Sequence, residues 1–131
     1  MQKDIKLLFQ HRYLVIAASI TLSIAYLSLS KPFDIGLTVP INNVDKIKHA
    51  FAYFVLSYSW MLVFYQRGDL TKYRKILCLF LFLYGVLMEV LQITITSYRQ
   101  GDFLDLLANF SGIFICYLFF NKIRRKISVK L

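Results

Sequence analysis

Four long apolar runs constrain the fold of this chain more than any other feature of its sequence. They span about residues 13–29, 47–65, 76–95 and 103–120. Each is close to the roughly 20 residues that an α-helix needs to cross the hydrocarbon core of a bilayer. At 58% hydrophobic residues, a chain of 131 carries more apolar side chain than a soluble domain can bury. We therefore predict an all-α fold: a four-helix transmembrane bundle, one domain over residues 1–131.

The first run has a second interpretation, as a cleaved signal peptide. Basic residues at Lys3, Lys6 and Arg12 precede it, and Ser28–Ser30 supplies the small residues typical of a cleavage site. The run is longer than the usual apolar core of a signal peptide, which favours a first helix that is retained.

The basic residues predict how the helices are oriented. Of the 16 lysines and arginines, 12 lie before the first run, between the second and third, or after the fourth. By the positive-inside rule both termini then face the cytoplasm. The net charge of +9 is mostly this topology signal, together with attraction to anionic membrane lipids. No aromatic-basic binding pattern accompanies the basic tail, so no nucleic-acid partner is predicted.

This orientation gathers the polar residues of the apolar runs at one membrane depth, in the outer leaflet. Glu89 lies about 13 residues into the third run, which is roughly 20 Å along a helix axis. Helical spacing predicts three polar stripes: Asp45, His49 and Tyr53; Gly85, Glu89 and Gln92; and Asp102, Asp105, Asn109 and Gly112. Because lipid offers no hydrogen bonds, we expect the three stripes to face one another.

Most of these residues also have a structural interpretation. Asp45 is a candidate N-cap of the second helix, and Asp102 with Asp105 resembles an N-cap and its partner three residues on. His49 is also interpretable as a core histidine, and Asn109 as a bridge between helices. Glu89 is not near a helix end, and a charge at its depth costs several kcal/mol. It is therefore the strongest candidate for a functional group.

Two stretches of the chain resemble the VanZ-like family. "DKIKHAFAYFVLS" is similar to the family's first motif, through Asp45, Lys46, His49 and Tyr53. "EVLQITITSYRQGDFLDLLANFSG" is similar to its second block, in which the matching positions are Glu89, Gln92, Arg99, Asp105, Asn109 and Gly112. The resemblance covers about residues 43–116. Family members often carry a proline shortly before the arginine, where this chain has Ser97 and Tyr98; we interpret this as loop variation.

The resemblance implies a small multi-pass protein of the bacterial inner (cytoplasmic) membrane. The name-giving member of the family is linked to resistance to the glycopeptide antibiotic teicoplanin. The family has no settled biochemical activity, so the resemblance leaves open whether this chain is an enzyme.

One hypothesis is an enzyme that acts at the outer face on a cell-envelope or lipid-linked substrate. The candidate catalytic residues are Asp45, His49, Glu89, Arg99 and Asp105. The candidate substrate-binding residues are Lys46, Tyr53, Gln92, Asp102 and Asn109. His49 or Glu89 would serve as acid and base. Arg99 would hold an anionic group through two hydrogen bonds, and Asp45 or Asp105 would orient His49 or Arg99.

Other functions use the same residues. A divalent metal ion held by Asp45, His49, Glu89 and Asp105 is a variant of the enzyme hypothesis, although the chain has no compact metal motif and no other cofactor is indicated. A binding protein would recognise an envelope lipid, a lipid-linked precursor or a glycopeptide. A structural protein would use the polar network to hold its helices together. A small transporter is a fourth alternative, and the sequence does not indicate an oligomeric state.

Cysteine accessibility tests the predicted orientation. We expect Ser97→Cys to react with a membrane-impermeant thiol reagent added to intact cells, because residue 97 follows the third run on the outer side. Thr71→Cys should react after permeabilisation and not before. The parent chain, with Cys78 and Cys116 inside apolar runs, is the control for background labelling. The reverse pattern would contradict the predicted topology.

Overall fold

The computed structural model consists of long α-helices joined in sequence. It describes the backbone of residues 2–31, 42–98 and 101–128, and the side chains of residues 10–31, 44–98 and 101–127. The helices are α1 (Gln2–Leu29), α2 (Asn42–Arg67), α3 (Leu70–Ile95) and α4 (Phe103–Ser128). Within these ranges there is no strand, so the predicted all-α fold is confirmed. All four helices are long and apolar enough to cross a membrane.

The helices extend beyond the apolar runs that predicted them. α1 begins at Gln2 and not near residue 13, and α4 continues to Ser128, well past residue 120. Hydropathy marks the segment that suits hydrocarbon, whereas backbone hydrogen bonding continues into polar flanks until a residue interrupts it. The apolar runs therefore predicted the positions of the helices and underestimated their lengths.

The connection between α2 and α3 is a tight turn of Gly68 and Asp69. Gly68 has a φ of +85°, a conformation that favours glycine. Its N–H donates to the Tyr65 carbonyl, and the Asp69 N–H donates to the Phe64 carbonyl, both at 3.0 Å. This is the hydrogen-bond pattern of a Schellman C-cap. The segment between the second and third apolar runs, residues 66–75, is therefore mostly helical, and its basic residues lie within α2 and α3.

The bundle has an apolar outer surface and polar groups inside. Leu22 is 71% exposed and Phe80 66% exposed, whereas Glu89, Gln92 and Asn109 are each at most 5% exposed. A protein folded in water shows the opposite preference for its charged and large apolar residues. In a membrane, apolar side chains that face lipid carry no free-energy penalty, and polar groups that face the inside of the bundle can form hydrogen bonds with one another.

α2 is the central helix of the bundle. It contacts the other three helices, and its most extensive interface is with α4. α2 and α4 run in the same direction, and their core includes Tyr53, Met61, Cys116 and Phe120. At Gly112 the two backbones come so close that an added Cβ would overlap the Ala50 carbonyl oxygen. A glycine in α4 therefore permits the close approach.

Side-chain hydrogen bonds join α1 to α2 and α3. The Trp60 indole N–H donates to the Thr21 hydroxyl at 3.0 Å, and the Tyr84 hydroxyl donates to the Thr21 carbonyl at 2.7 Å. Nearer the start of α1, the Gln10 amide donates to the Gln66 carbonyl at 3.1 Å. These bonds satisfy polar atoms that lipid could not bind, and they fix how α1 lies against its neighbours.

A methyl group at Gly112 tests the close approach of α2 and α4. Because the atoms that Gly112→Ala would meet belong to the α2 backbone, they cannot move aside by side-chain rotation. We expect the variant to lower the free energy of unfolding by about 1–3 kcal/mol, measured by denaturant titration in detergent micelles. Ser111→Ala is the control, since that side chain is exposed and bonds within its own helix. Equal stability of the two variants would contradict the packing described.

Candidate functional site

The polar residues converge where α2 and α4 begin and α3 ends, which we call the polar end of the bundle. Because α2 and α4 run in the same direction, their first turns lie side by side. Asp45 is in the first turn of α2, and Asp105 is in the first turn of α4. α2 begins at Asn42, so the interpretation of Asp45 as the N-cap is wrong.

His49 is held between α2 and α4. Its Nδ1 atom is 3.1 Å from the Asn109 side-chain oxygen. Its Nε2 atom is 3.7 Å from a carboxylate oxygen of Asp105 and 4.0 Å from one of Asp45. One ligand atom from each of Asp45, His49 and Asp105 lies within 4.8 Å of the other two. We call these three residues the His49 group.

A second contact between the same helices lies at the start of α4. Lys46 Nζ is 3.4 Å from an Asp102 carboxylate oxygen, and the other Asp102 oxygen accepts the Leu104 backbone N–H at 2.8 Å. This bond confirms Asp102 as the N-cap of α4. The Leu104 N–H first, and the Lys46 ammonium second, lower the pKa of Asp102 below its usual range. The stabilisation that the ionised carboxylate contributes is therefore lost as the pH falls through this lowered pKa.

Glu89 is buried inside the end of α3 and faces the start of α4. Its carboxylate lies within electrostatic range of the Asp102 backbone N–H and of the side chains of Asp105 and His49. The side chain is 5% exposed, so it faces the other helices and not lipid. Arg99, the candidate catalytic residue that would hold an anionic group, lies outside the described residues.

Gly101 is a site residue that no pattern in the sequence indicated. A Cβ at this position would overlap the Ile93 side chain and would come 3.6 Å from a Glu89 carboxylate oxygen. The chain thus passes directly over Glu89 just before α4 begins. The one local signal was a glycine next to a helix-capping aspartate, a common combination that does not reveal which side chain lies beneath it.

Tyr53 lies one helical turn deeper than His49 and is 2% exposed. A Cβ on Gly85 would be 3.2 Å from the Tyr53 ring and 3.3 Å from the Asn109 amide nitrogen. Among the described residues, the Tyr53 hydroxyl has no hydrogen-bond partner. Tyr53 therefore borders the His49 group from inside the bundle, and the predicted role in substrate binding stays a prediction.

Gln92 does not join the other polar residues. Its side-chain amide donates to the Ser28 carbonyl of α1 at 3.0 Å, on a different side of α3 from the His49 group. Glu89 and Gln92, which the sequence places on one stripe, therefore face different helices: Glu89 faces α4 and Gln92 faces α1. The structure brings together Asp45, Lys46, His49, Glu89, Asp102, Asp105 and Asn109 at the polar end.

A cavity inside the bundle is separate from these residues. It has a volume of about 510 Å³ and lies between α1, α2 and α3, with Trp60, Phe64, Tyr73 and Tyr84 in its lining. The lining is almost entirely apolar, so the cavity suits a hydrocarbon chain better than a polar group. None of the polar-end residues is in the lining of this cavity.

Comparison with known proteins identifies a family. A family model described as VanZ/LLP1 matches residues 3–124, which include every residue of the polar end. The match confirms the resemblance seen in the sequence. Neither the curated proteins nor the solved structures give a match.

Two substitutions of Asp102 separate capping from ion pairing. Asp102→Asn should keep most of the thermal stability, because asparagine caps a helix as well as aspartate and an exposed ion pair contributes little. Asp102→Ala loses the cap and should melt at a clearly lower temperature in detergent. Asp69→Ala is the control, since Asp69 precedes α3 without a side-chain capping bond. Equal losses in both Asp102 variants would show that the Lys46 contact dominates.

Proposed function

Because the chain belongs to the VanZ/LLP1 family and is a multi-pass membrane protein with four apolar helices, we propose that it binds and chemically alters a lipid-linked or other cell-envelope molecule at its polar end. In this proposal Glu89 is the group that exchanges a proton with the substrate. The His49 group and Lys46 hold the polar part of the substrate.

The observation that carries the proposal is the position of Glu89. The carboxylate is buried within a membrane-spanning segment, and groups from α2 and α4 surround it. Helix capping does not explain it, because its position is inside α3. An ionisable group kept at such a depth is costly, and in membrane proteins such groups mark sites of binding or proton transfer.

The arrangement supports acid–base chemistry on a bound molecule. A general acid or base must reach the proton that it transfers, and Glu89 lies next to the half-open His49 group. The side chains of His49 and Asp105 are each 13% exposed and that of Asp45 is 42% exposed. A substrate head group would thus enter past Asp45 and reach Glu89 from the end of the bundle.

The orientation of the basic residues supports an external location for this site. With both termini in the cytoplasm, the polar end lies in the outer leaflet of the bacterial cytoplasmic membrane. Lipid-linked precursors of the envelope are exposed there. A changed precursor would also account for resistance to a glycopeptide such as teicoplanin, so the antibiotic sensitivity of cells carrying the protein is an additional measurement.

A specific observation favours a second candidate, a purely structural network. The contacts between His49 and Asn109 and between Lys46 and Asp102 each join α2 to α4. Polar contacts of this kind hold helices together in lipid and contribute about 1 kcal/mol each. In this alternative Glu89 would complete the network and act on no substrate.

A comparison of Glu89→Gln with the wild-type protein tests the proposal. Glutamine has nearly the same shape as glutamate and cannot exchange the carboxyl proton. We expect cells that produce the variant at wild-type levels to lose a change in lipid composition that the wild-type protein causes, measured by mass spectrometry of extracted membranes. The melting temperature of the purified variant should stay close to that of the wild type. Asp69→Asn, at the opposite end of the bundle, is the matched control and should keep full activity.

Two outcomes would contradict the proposal. A lipid that copurifies with the wild-type protein and is never altered would indicate a binding protein. A Glu89→Gln variant that melts at a much lower temperature, together with unchanged lipids in wild-type cells, would support the structural candidate.

A further inference from the structure

The side chains of the His49 group bring three potential metal-ligand atoms close together. His49 contributes a ring nitrogen, and Asp45 and Asp105 each contribute a carboxylate oxygen, all within 4.8 Å. The two carboxylates come from different helices, so the local sequence of neither helix explains their approach. Two such groups repel each other at this distance unless a positive charge lies between them.

Asn109 determines which ring nitrogen of His49 carries the proton. The Asn109 side-chain oxygen, 3.1 Å from Nδ1, accepts hydrogen bonds and cannot donate them. This contact favours the tautomer with the proton on Nδ1, in which Nε2 has its lone pair on the side of Asp45 and Asp105. Histidines that bind metals commonly have their second nitrogen held in this way.

We propose that Asp45, His49 and Asp105 form a binding site for a divalent metal ion of the zinc type. Imidazole nitrogen and carboxylate oxygen are both ligand types that zinc accepts, and the imidazole disfavours magnesium and calcium. Three protein ligands leave a coordination position open. An anionic oxygen of the substrate head group, held beside Glu89, would fill that position. This part of the inference rests on the proposed function.

The geometry requires a small closure around the ion. Ligand atoms about 2.1 Å from a tetrahedral ion are about 3.4 Å apart, and the two distances from His49 Nε2 are 3.7 and 4.0 Å. The Asp45 side chain is 42% exposed and is free to rotate inward. Lys46 is also in electrostatic range of Asp105 and weakens the attraction for a cation.

Zinc binding by the purified full-length protein tests the site directly. After treatment with a chelator, the protein in detergent is dialysed against Zn²⁺, and bound zinc is measured by elemental mass spectrometry. We expect one tightly bound Zn²⁺ per chain. His49→Ala and Asp105→Asn should each weaken binding by at least the roughly tenfold that loss of an outer-shell partner costs. His11→Ala and Asp69→Asn, a histidine and an aspartate away from the polar end, should bind as the wild type does.

Asn109 supplies a second test that keeps all three ligands. Asn109→Asp still accepts the Nδ1 proton and should keep zinc affinity, whereas Asn109→Leu should weaken it by about 10–100-fold. If His49→Ala fails to fold, Asp45→Asn takes its place, because that side chain is partly exposed. Zn²⁺ should also raise the melting temperature of the wild type and not of the ligand variants. Equal zinc binding by the wild type and the ligand variants would overturn the inference. No zinc binding by the wild type would also overturn it and would indicate a proton shared by the three side chains.

The lipid measurement separates this inference from the proposed function. Loss of the lipid change in chelator-treated membranes, with recovery on addition of Zn²⁺, would support both. A lipid change that persists without zinc binding would overturn the metal site and leave the proposed function standing. Zinc binding by a protein that alters no lipid would support the metal site and overturn the proposed function.

Discussion

Polar side chains inside a membrane-spanning bundle must find their partners on neighbouring helices, because lipid supplies none. The rest of this structure depends on that constraint. His49 of α2 contacts Asn109 and Asp105 of α4, and Glu89 of α3 faces the beginning of α4. Each contact satisfies a group that would be costly against hydrocarbon. Together they make the polar end a site that belongs to three helices at once.

The parallel packing of α2 and α4 creates this site. Helices that run in the same direction bring their first turns together, and the first turn of each carries an aspartate. Gly112 lets the two backbones meet closely enough for His49 to reach across to Asn109. The small residue and the polar contacts thus support each other, since a wider separation would leave the histidine without its partner.

α1 has a different relation to the bundle. It packs against α2 and α3, and in the described residues it has no substantial contact with α4. Two of its polar contacts use α1 backbone carbonyls as acceptors: the bonds from Gln92 to Ser28 and from Tyr84 to Thr21. A carbonyl at the end of a helix is a partner that any residue type can supply. α1 therefore covers one side of the bundle and contributes no ionisable group to the His49 group.

The fold was largely predictable from hydropathy, because the length of an apolar run follows from the thickness of a bilayer. The ends of the helices were less predictable. Nothing in the composition of residues 66–75 showed that α2 continues to Arg67 and that α3 begins at Leu70. Arg99, which the sequence marked as a candidate catalytic residue, lies outside the described residues. Gly101 went unnoticed, since its proximity to Glu89 depends on the path of the chain and not on its neighbours in sequence.

The sequence by itself determined the number of helices, the family and the residues that are costly in lipid, because composition and spacing are local properties. It could not determine which neighbour each polar residue faces. Glu89 and Gln92 are three residues apart on one helix, yet one faces α4 and the other α1. That choice depends on how far α3 is rotated about its axis, and packing along the whole bundle sets the rotation. The tertiary structure alone placed His49 Nε2 opposite two carboxylates, since its contact with Asn109 joins positions 60 residues apart in the chain.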